Sequence, residues 1–114
     1  MIYKGLFLLS CALSLQAEET HRVFQFENEH VKVWKTVIMP NQPLKMHRHE
    51  SPRVVVGLQG GTLTKIESTG ETSELTFETG KAYWLDEDPP GTLHADRNES
   101  DEPIIVMVIE MVEP

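Results

Sequence analysis

The chain has a single cysteine, Cys11, and few basic residues, ten against eighteen acidic ones in 114. No apolar run approaches the roughly 20 residues that a bilayer-spanning helix needs. Nor does any internal repeat, low-complexity tract or Gly-Ser linker divide the chain. Each scarcity excludes something. One cysteine allows no intrachain disulfide and no paired-thiolate chemistry. An acidic surface makes nucleic acid and anionic membranes poor partners. A chain of this length without a linker has room for one hydrophobic core and not two.

The first seventeen residues differ from the rest. Lys4 is their only charge, an apolar run follows from Gly5 to about Leu15, and Gln16-Ala17 precede Glu18-Glu19. That layout predicts a secretory signal peptide over residues 1–17, cut after Ala17, with the domain occupying residues 18–114. A lipoprotein signal, with Leu8-Leu9-Ser10 ahead of Cys11, is the competing reading. Cleavage removes Lys4 and Cys11, so the basic count falls from 10 to 9 against 18 acids and the net charge moves from −8 to about −9. The expected location is periplasmic or secreted, with membrane contact only through the uncleaved peptide.

From Val23 onward, β-branched and aromatic residues lie between clusters of Gly, Pro, Asn and Asp, the punctuation of short strands. Val31, Val33, Lys35 and Val37 alternate with Lys32, Trp34, Thr36 and Ile38, which predicts a strand covered on both faces. Arg53 to Leu58 is a second, Val-rich strand, ended by Gly57 and Gly60-Gly61. Thr62 to Ser68 and Glu74 to Thr79 flank a hairpin turn at Ser68-Thr69-Gly70-Glu71, where Gly70 supplies a positive φ. Lys81 to Leu85 and Ile104 to Met111 complete the pattern. Eight or nine short strands without crossover helices predict an all-β sandwich or barrel. Asp86-Glu87-Asp88 and Glu99 to Glu102 read as solvated acidic turns.

His47 and His49 flank Arg48, and residues two apart in a strand share a face. His94 ends the run Pro89-Pro90-Gly91-Thr92-Leu93-His94, whose prolines and glycine restrict the backbone. A His-x-His pair alone is a weak signal of a metal site. His21 and His30, in polar surroundings near the start, read as bystanders.

The context strengthens the signal. Asn41, Met46-His47-Arg48-His49 and Gly60 resemble the first motif of the cupin superfamily: a Gly, five residues, His-x-His, three or four residues, Glu, six residues, Gly. Gly80 and Pro89-Pro90-Gly91-Thr92-Leu93-His94-Ala95-Asp96-Arg97-Asn98 resemble the second, which ends Pro-x-Gly-x-x-His followed by an Asn. With their strands the two motifs cover nearly all of the chain after Ala17. The resemblance implies a jelly-roll barrel, the double-stranded β-helix, holding a metal ion. There are three departures. Asn41 replaces a Gly, which suits a residue that tolerates left-handed backbone angles. Eight residues separate Gly80 from Pro89 where the family has five, a lengthening assigned to Asp86-Glu87-Asp88. Arg53 stands where the family has its Glu ligand.

The resemblance therefore implies three metal ligands, His47, His49 and His94, with coordination positions left for water or substrate. Glu50 is a weaker fourth candidate, reached only if a bulge at Ser51-Pro52 re-aims it. Arg53 is expected on the histidine face, where its guanidinium would grip a carboxylate or phosphate; the alternative turns it outward to pair with Glu50 or an acidic loop. Tyr83 and Trp84 are lesser substrate-contact candidates, one of them facing inward. Met39, Met46, Met107 and Met111 read as core fillers. Imidazole ligands suit one divalent ion of zinc, iron, copper, nickel or manganese. Three functions stay open at this point: a metal-dependent enzyme of oxygenase or isomerase type acting on a small anion, a non-catalytic module that binds or senses a small ligand, and a domain whose metal serves structure alone. Relatives of this kind often pair through their sheets, which implies a homodimer.

Overall fold

A computed structural model describes residues 19–112. The expected signal peptide at residues 1–17 lies outside them. Within the described residues the chain is all-β, with eight strands and no helix: β1 (His21–Glu27), β2 (Val31–Ile38), β3 (Arg53–Gln59), β4 (Gly61–Glu67), β5 (Thr72–Phe77), β6 (Ala82–Leu85), β7 (His94–Asn98) and β8 (Ile104–Met111). They form a five-stranded sheet in the order β1-β2-β8-β3-β6 and a three-stranded sheet in the order β5-β4-β7, with every strand pair antiparallel.

Period-two alternation builds one core from both sheets. Trp34 and Ile38 from β2, Val55 from β3, Leu63 from β4, Phe77 from β5 and Ile104, Val106 and Val108 from β8 form the buried cluster. Their full burial contributes about 1.5–3 kcal/mol per large side chain. Gly70 turns the β4–β5 hairpin at φ 94°, and Asn41 takes φ 57° at the end of the segment after β2.

Two expectations are corrected here. Gly57 does not end its strand, because β3 continues to Gln59. Glycine is needed there because the carbonyl oxygen of Glu78 lies 2.3 Å from where a Cβ would sit. The Gly57 N–H donates to the Lys81 carbonyl at 3.0 Å and the Gly57 carbonyl accepts from the Gly80 N–H at 2.7 Å, so the chain crosses against its backbone. Second, residues 42–52 form no ladder strand. They run along the free edge of β7 through intermittent bonds: Asn41 N–H to the Asn98 carbonyl (2.8 Å), Leu44 N–H to the Asp96 carbonyl (3.3 Å), and a reciprocal pair between His47 and His94 (2.8 Å each). Pro40 and Pro43 lack the N–H groups that a regular ladder would use. Asn98 closes this end of the barrel; it is wholly buried, and its Nδ2 donates to the carbonyls of Ile38 and Glu102.

Candidate metal centre

The reciprocal bonds of His47 and His94 make them a directly opposed pair, so their side chains leave the backbone on one face. His49 follows two residues later and is held by the lengthened loop before Pro89. Its N–H donates to Asp88 Oδ2 at 2.7 Å, and the Asp88 N–H donates to its carbonyl at 2.8 Å. Arg48 points away and pins the same loop, donating from Nη2 to the Asp88 carbonyl (3.0 Å) and from Nε to the Pro89 carbonyl (3.2 Å).

Three imidazoles thereby meet. Ring centroids lie 4.8 Å apart for His47 and His49, 4.6 Å for His47 and His94, and 5.5 Å for His49 and His94. One ligating nitrogen from each falls within 4.8 Å of the others. His47 Nδ1 is 2.6 Å from the Lys45 carbonyl, and a carbonyl only accepts, so that nitrogen carries the proton and Nε2 keeps a free lone pair. His47 Nε2 and His49 Nε2 are 3.1 Å apart. With metal–nitrogen bonds of about 2.0–2.1 Å, two ligands of one tetrahedral ion lie about 3.4 Å apart, so His47 and His49 already stand near that spacing and the widest pair has at most about 1.4 Å to close around a shared cation.

The electrostatics agree with that fit. Burial, then the charge of Arg53 and the neighbouring His47, holds His49 at a pKa of about 3, with Asp88 opposing and His94 adding to the depression. His94 is 3% exposed, and burial lowers its pKa although Asp96 and Asp88 work the other way. Neutral imidazole is the form that ligates. Burial alone would raise the Asp88 carboxyl, but the His49 N–H bond and the charges of His94, His49 and Arg53 outweigh it, so its pKa falls. Asp88 Oδ2 also lies 3.5 Å from His94 Nδ1. Carboxylates in that position orient ligating histidines.

The cluster sits on the wall of a cavity of about 290 Å³, whose apolar lining includes Trp34, Ile38, Val55, Leu63, Phe77 and Val108. Arg53 lines it too, 7% exposed, with Nη1 donating to the Asp86 carbonyl at 3.2 Å. Burial lowers the Arg53 pKa from its usual value, while Asp88, Asp96 and Glu110 favour its charge. Arg22 and Lys65 add two further cations to the lining.

The other sequence candidates lie elsewhere. Glu50 is turned to solvent and pairs with Arg48 at 3.4 Å, so it does not join the histidines. Trp84 is 56% exposed and donates from Nε1 to Asp86 Oδ1, outside the cavity. Tyr83 packs edge-on against Phe77 at the core's margin and accepts a hydrogen bond from the Glu78 N–H; it is not in the lining either. His21 and His30 are exposed and are not part of the cluster. Two acids were misjudged. Asp88, expected in a solvated turn, is buried against His49 and His94. Asp96, within the second motif, faces the cluster; its spacing of two from His94 on β7 is the sequence signal for that placement.

No protein-family model matches the chain, and no curated protein matches it in sequence. Solved structures do. A cupin domain from Bordetella pertussis Tohama I is similar with a TM-score of 0.73 and 26% identity, covering 87% of this chain and 99% of that one. An RmlC-like cupin family protein with a double-stranded β-helix fold from Methanocaldococcus jannaschii matches with a TM-score of 0.63 and 13% identity over 86% of this chain and 84% of its own. The polyketide cyclase RemF from Streptomyces resistomycificus matches at 0.60 and 19% over 85% and 68%; at such identities the last two likenesses speak for the fold alone. The chain belongs to the cupin superfamily, and its barrel is the double-stranded β-helix of that class.

Proposed function

We propose that this chain is an exported cupin, periplasmic or secreted, that holds one divalent cation with His47, His49 and His94 and receives a small anionic molecule in the adjoining cavity. The observation that carries the reading is the convergence of three ring nitrogens within 4.8 Å on the wall of that cavity. Arg53 supports the anionic ligand. Its buried guanidinium has one protein acceptor among the described residues, the Asp86 carbonyl, and the remaining donors suit a carboxylate or phosphate oxygen. At about 290 Å³ the cavity lies at the lower end of small-molecule sites, which limits the ligand to a small acid.

In this scheme the chain's own residues bind and orient. His47 keeps its Nε2 lone pair inward because Lys45 holds the Nδ1 proton, Asp88 steadies His49 and His94, and the apolar lining excludes water. A divalent cation bound there supplies Lewis-acid polarisation of a ligand oxygen. Zinc, iron, copper, nickel and manganese all accept imidazole ligands, and the reaction class we favour is that of a metal-dependent oxygenase or isomerase.

Elemental analysis of the protein purified without added metal, beside His94→Ala, tests the reading. One equivalent in the parent and none in the variant is expected; a parent that takes up none of the five metals overturns it. A screen of small carboxylic acids for oxygen consumption or altered product then separates an enzyme from a binding module, because a binder gains thermal stability without turnover.

A further inference from the structure

Asp96 Oδ1 is the one deeply buried side-chain polar atom among the described residues that has no hydrogen-bond partner. The residue is 9% exposed and lies two positions after His94 on β7, so alternation puts its carboxylate on the same face. Its other oxygen, Oδ2, is 3.9 Å from His47 Nε2 and 3.8 Å from His94 Nε2. Neither nearby cation hydrogen-bonds to it among the described residues. Lys65, its register partner on β4, pairs with Glu67 at 3.3 Å, and Arg53 donates to the Asp86 carbonyl. A carboxylate withdrawn from water without donors is unfavourable unless a cation completes it.

We propose that Asp96 is a fourth protein ligand of the cation held by His47, His49 and His94. The inference rests on the three-histidine reading and adds to it. Arg53 displaces the carboxylate of the first motif from β3, and Asp96 supplies one from the second motif, across the barrel on β7. The Nε2–Oδ2 separations of 3.9 and 3.8 Å stand about 0.5 Å above the roughly 3.4 Å between two ligands of one tetrahedral ion, so a small closure brings the carboxylate onto the same cation. Charge follows from the exchange. Three neutral imidazoles and one carboxylate would leave a divalent ion with one net positive charge; the Arg53 guanidinium adds one and the Asp88 carboxylate removes one, so the centre would keep a net positive charge that favours a small anion.

Cobalt(II) is the probe, because its visible absorption reports the ligand set as well as occupancy. The purified protein, Asp96→Ala, Asp96→Asn and His94→Ala are titrated with it, and each is melted with and without the metal. The expected result is one cobalt per parent chain, an affinity roughly 10- to 100-fold weaker in Asp96→Ala with an altered spectrum, and an intermediate loss in Asp96→Asn. The metal-free Asp96→Asn protein should melt no lower than the parent, since the side chain has no hydrogen bond in the fold to lose; a residue that merely braced the fold would lower that temperature. Parent-like affinity and spectrum in both Asp96 variants, with binding lost in His94→Ala, overturn the role of Asp96 and leave the three-histidine site standing. Absence of cobalt binding in the parent overturns the three-histidine reading itself.

Discussion

Replacing Asp88 with alanine isolates what the lengthened loop does for the metal centre. The side chain makes a 2.7 Å hydrogen bond from the His49 N–H and faces His94 Nδ1 at 3.5 Å. A hydrogen bond to a charged group contributes about 1.5–3 kcal/mol. For a domain of this size each kcal/mol is worth about 4–8 °C, so the metal-free variant should melt roughly 6–24 °C below the parent. Loss of a carboxylate that orients ligating histidines typically weakens metal binding by about 10- to 100-fold. Asp88→Asn separates the two contributions, because its amide oxygen still accepts from His49 while the charge opposite His94 is gone. It should recover most of the stability and only part of the affinity. Thermal melts and competition against a chelator of known affinity measure both quantities. A folded Asp88→Ala protein that binds metal as tightly as the parent would refute the positioning argument.

Three further predictions follow from the same geometry. For the metal-free protein, His49 has a folded pKa of about 3 against 6.5 unfolded, so between those values the unfolded chain binds more protons and stability rises with pH. Acidification from pH 7.5 to pH 5 should therefore cost about 1–2 kcal/mol after allowance for partial solvent access, read from urea midpoints; the depressed Asp88 carboxyl acts in the same direction in a more acidic range. A flat midpoint across that range would contradict the burial of His49 as a neutral ring. Arg53→Met should weaken binding of small carboxylic acids or organic phosphates by roughly 10- to 150-fold in calorimetry while metal content stays at the parent's level; loss of metal from this variant would reassign the residue. Asn98→Ala removes the donors to Ile38 and Glu102 and the acceptor for the Ser100 N–H, and should cost about 3–5 kcal/mol in chemical denaturation.

Much of the barrel was legible in the sequence because strands announce themselves locally. Alternation in 31–38, the glycine turn at 68–71 and the apolar run 104–111 each depend on neighbours along the chain, and β2 and β8 have the bounds that the residues suggest. Gly57 was misread for a related reason: a glycine that ends a strand and a glycine that lets another segment pass look alike until the passing backbone at Glu78 is known. The histidines were visible through their spacing in two motifs. The way they meet was not, since His47 and His49 lie on an irregular segment and not on a ladder strand.

By itself the sequence determined the all-β class, the approximate strand boundaries and the three imidazoles to watch, because side-chain alternation and turn chemistry act over a few residues. Tertiary structure decided which acids are buried with them, although the spacing of Asp96 from His94 already puts those two on one face. Asp88 and Asp96 differ little from the other aspartates as letters; one is drawn in by a loop that docks on His49, the other by a strand whose partner carries His47. Burial and charge environment are properties of what packs against a residue, and the packing partners here come from segments some forty to fifty residues away along the chain.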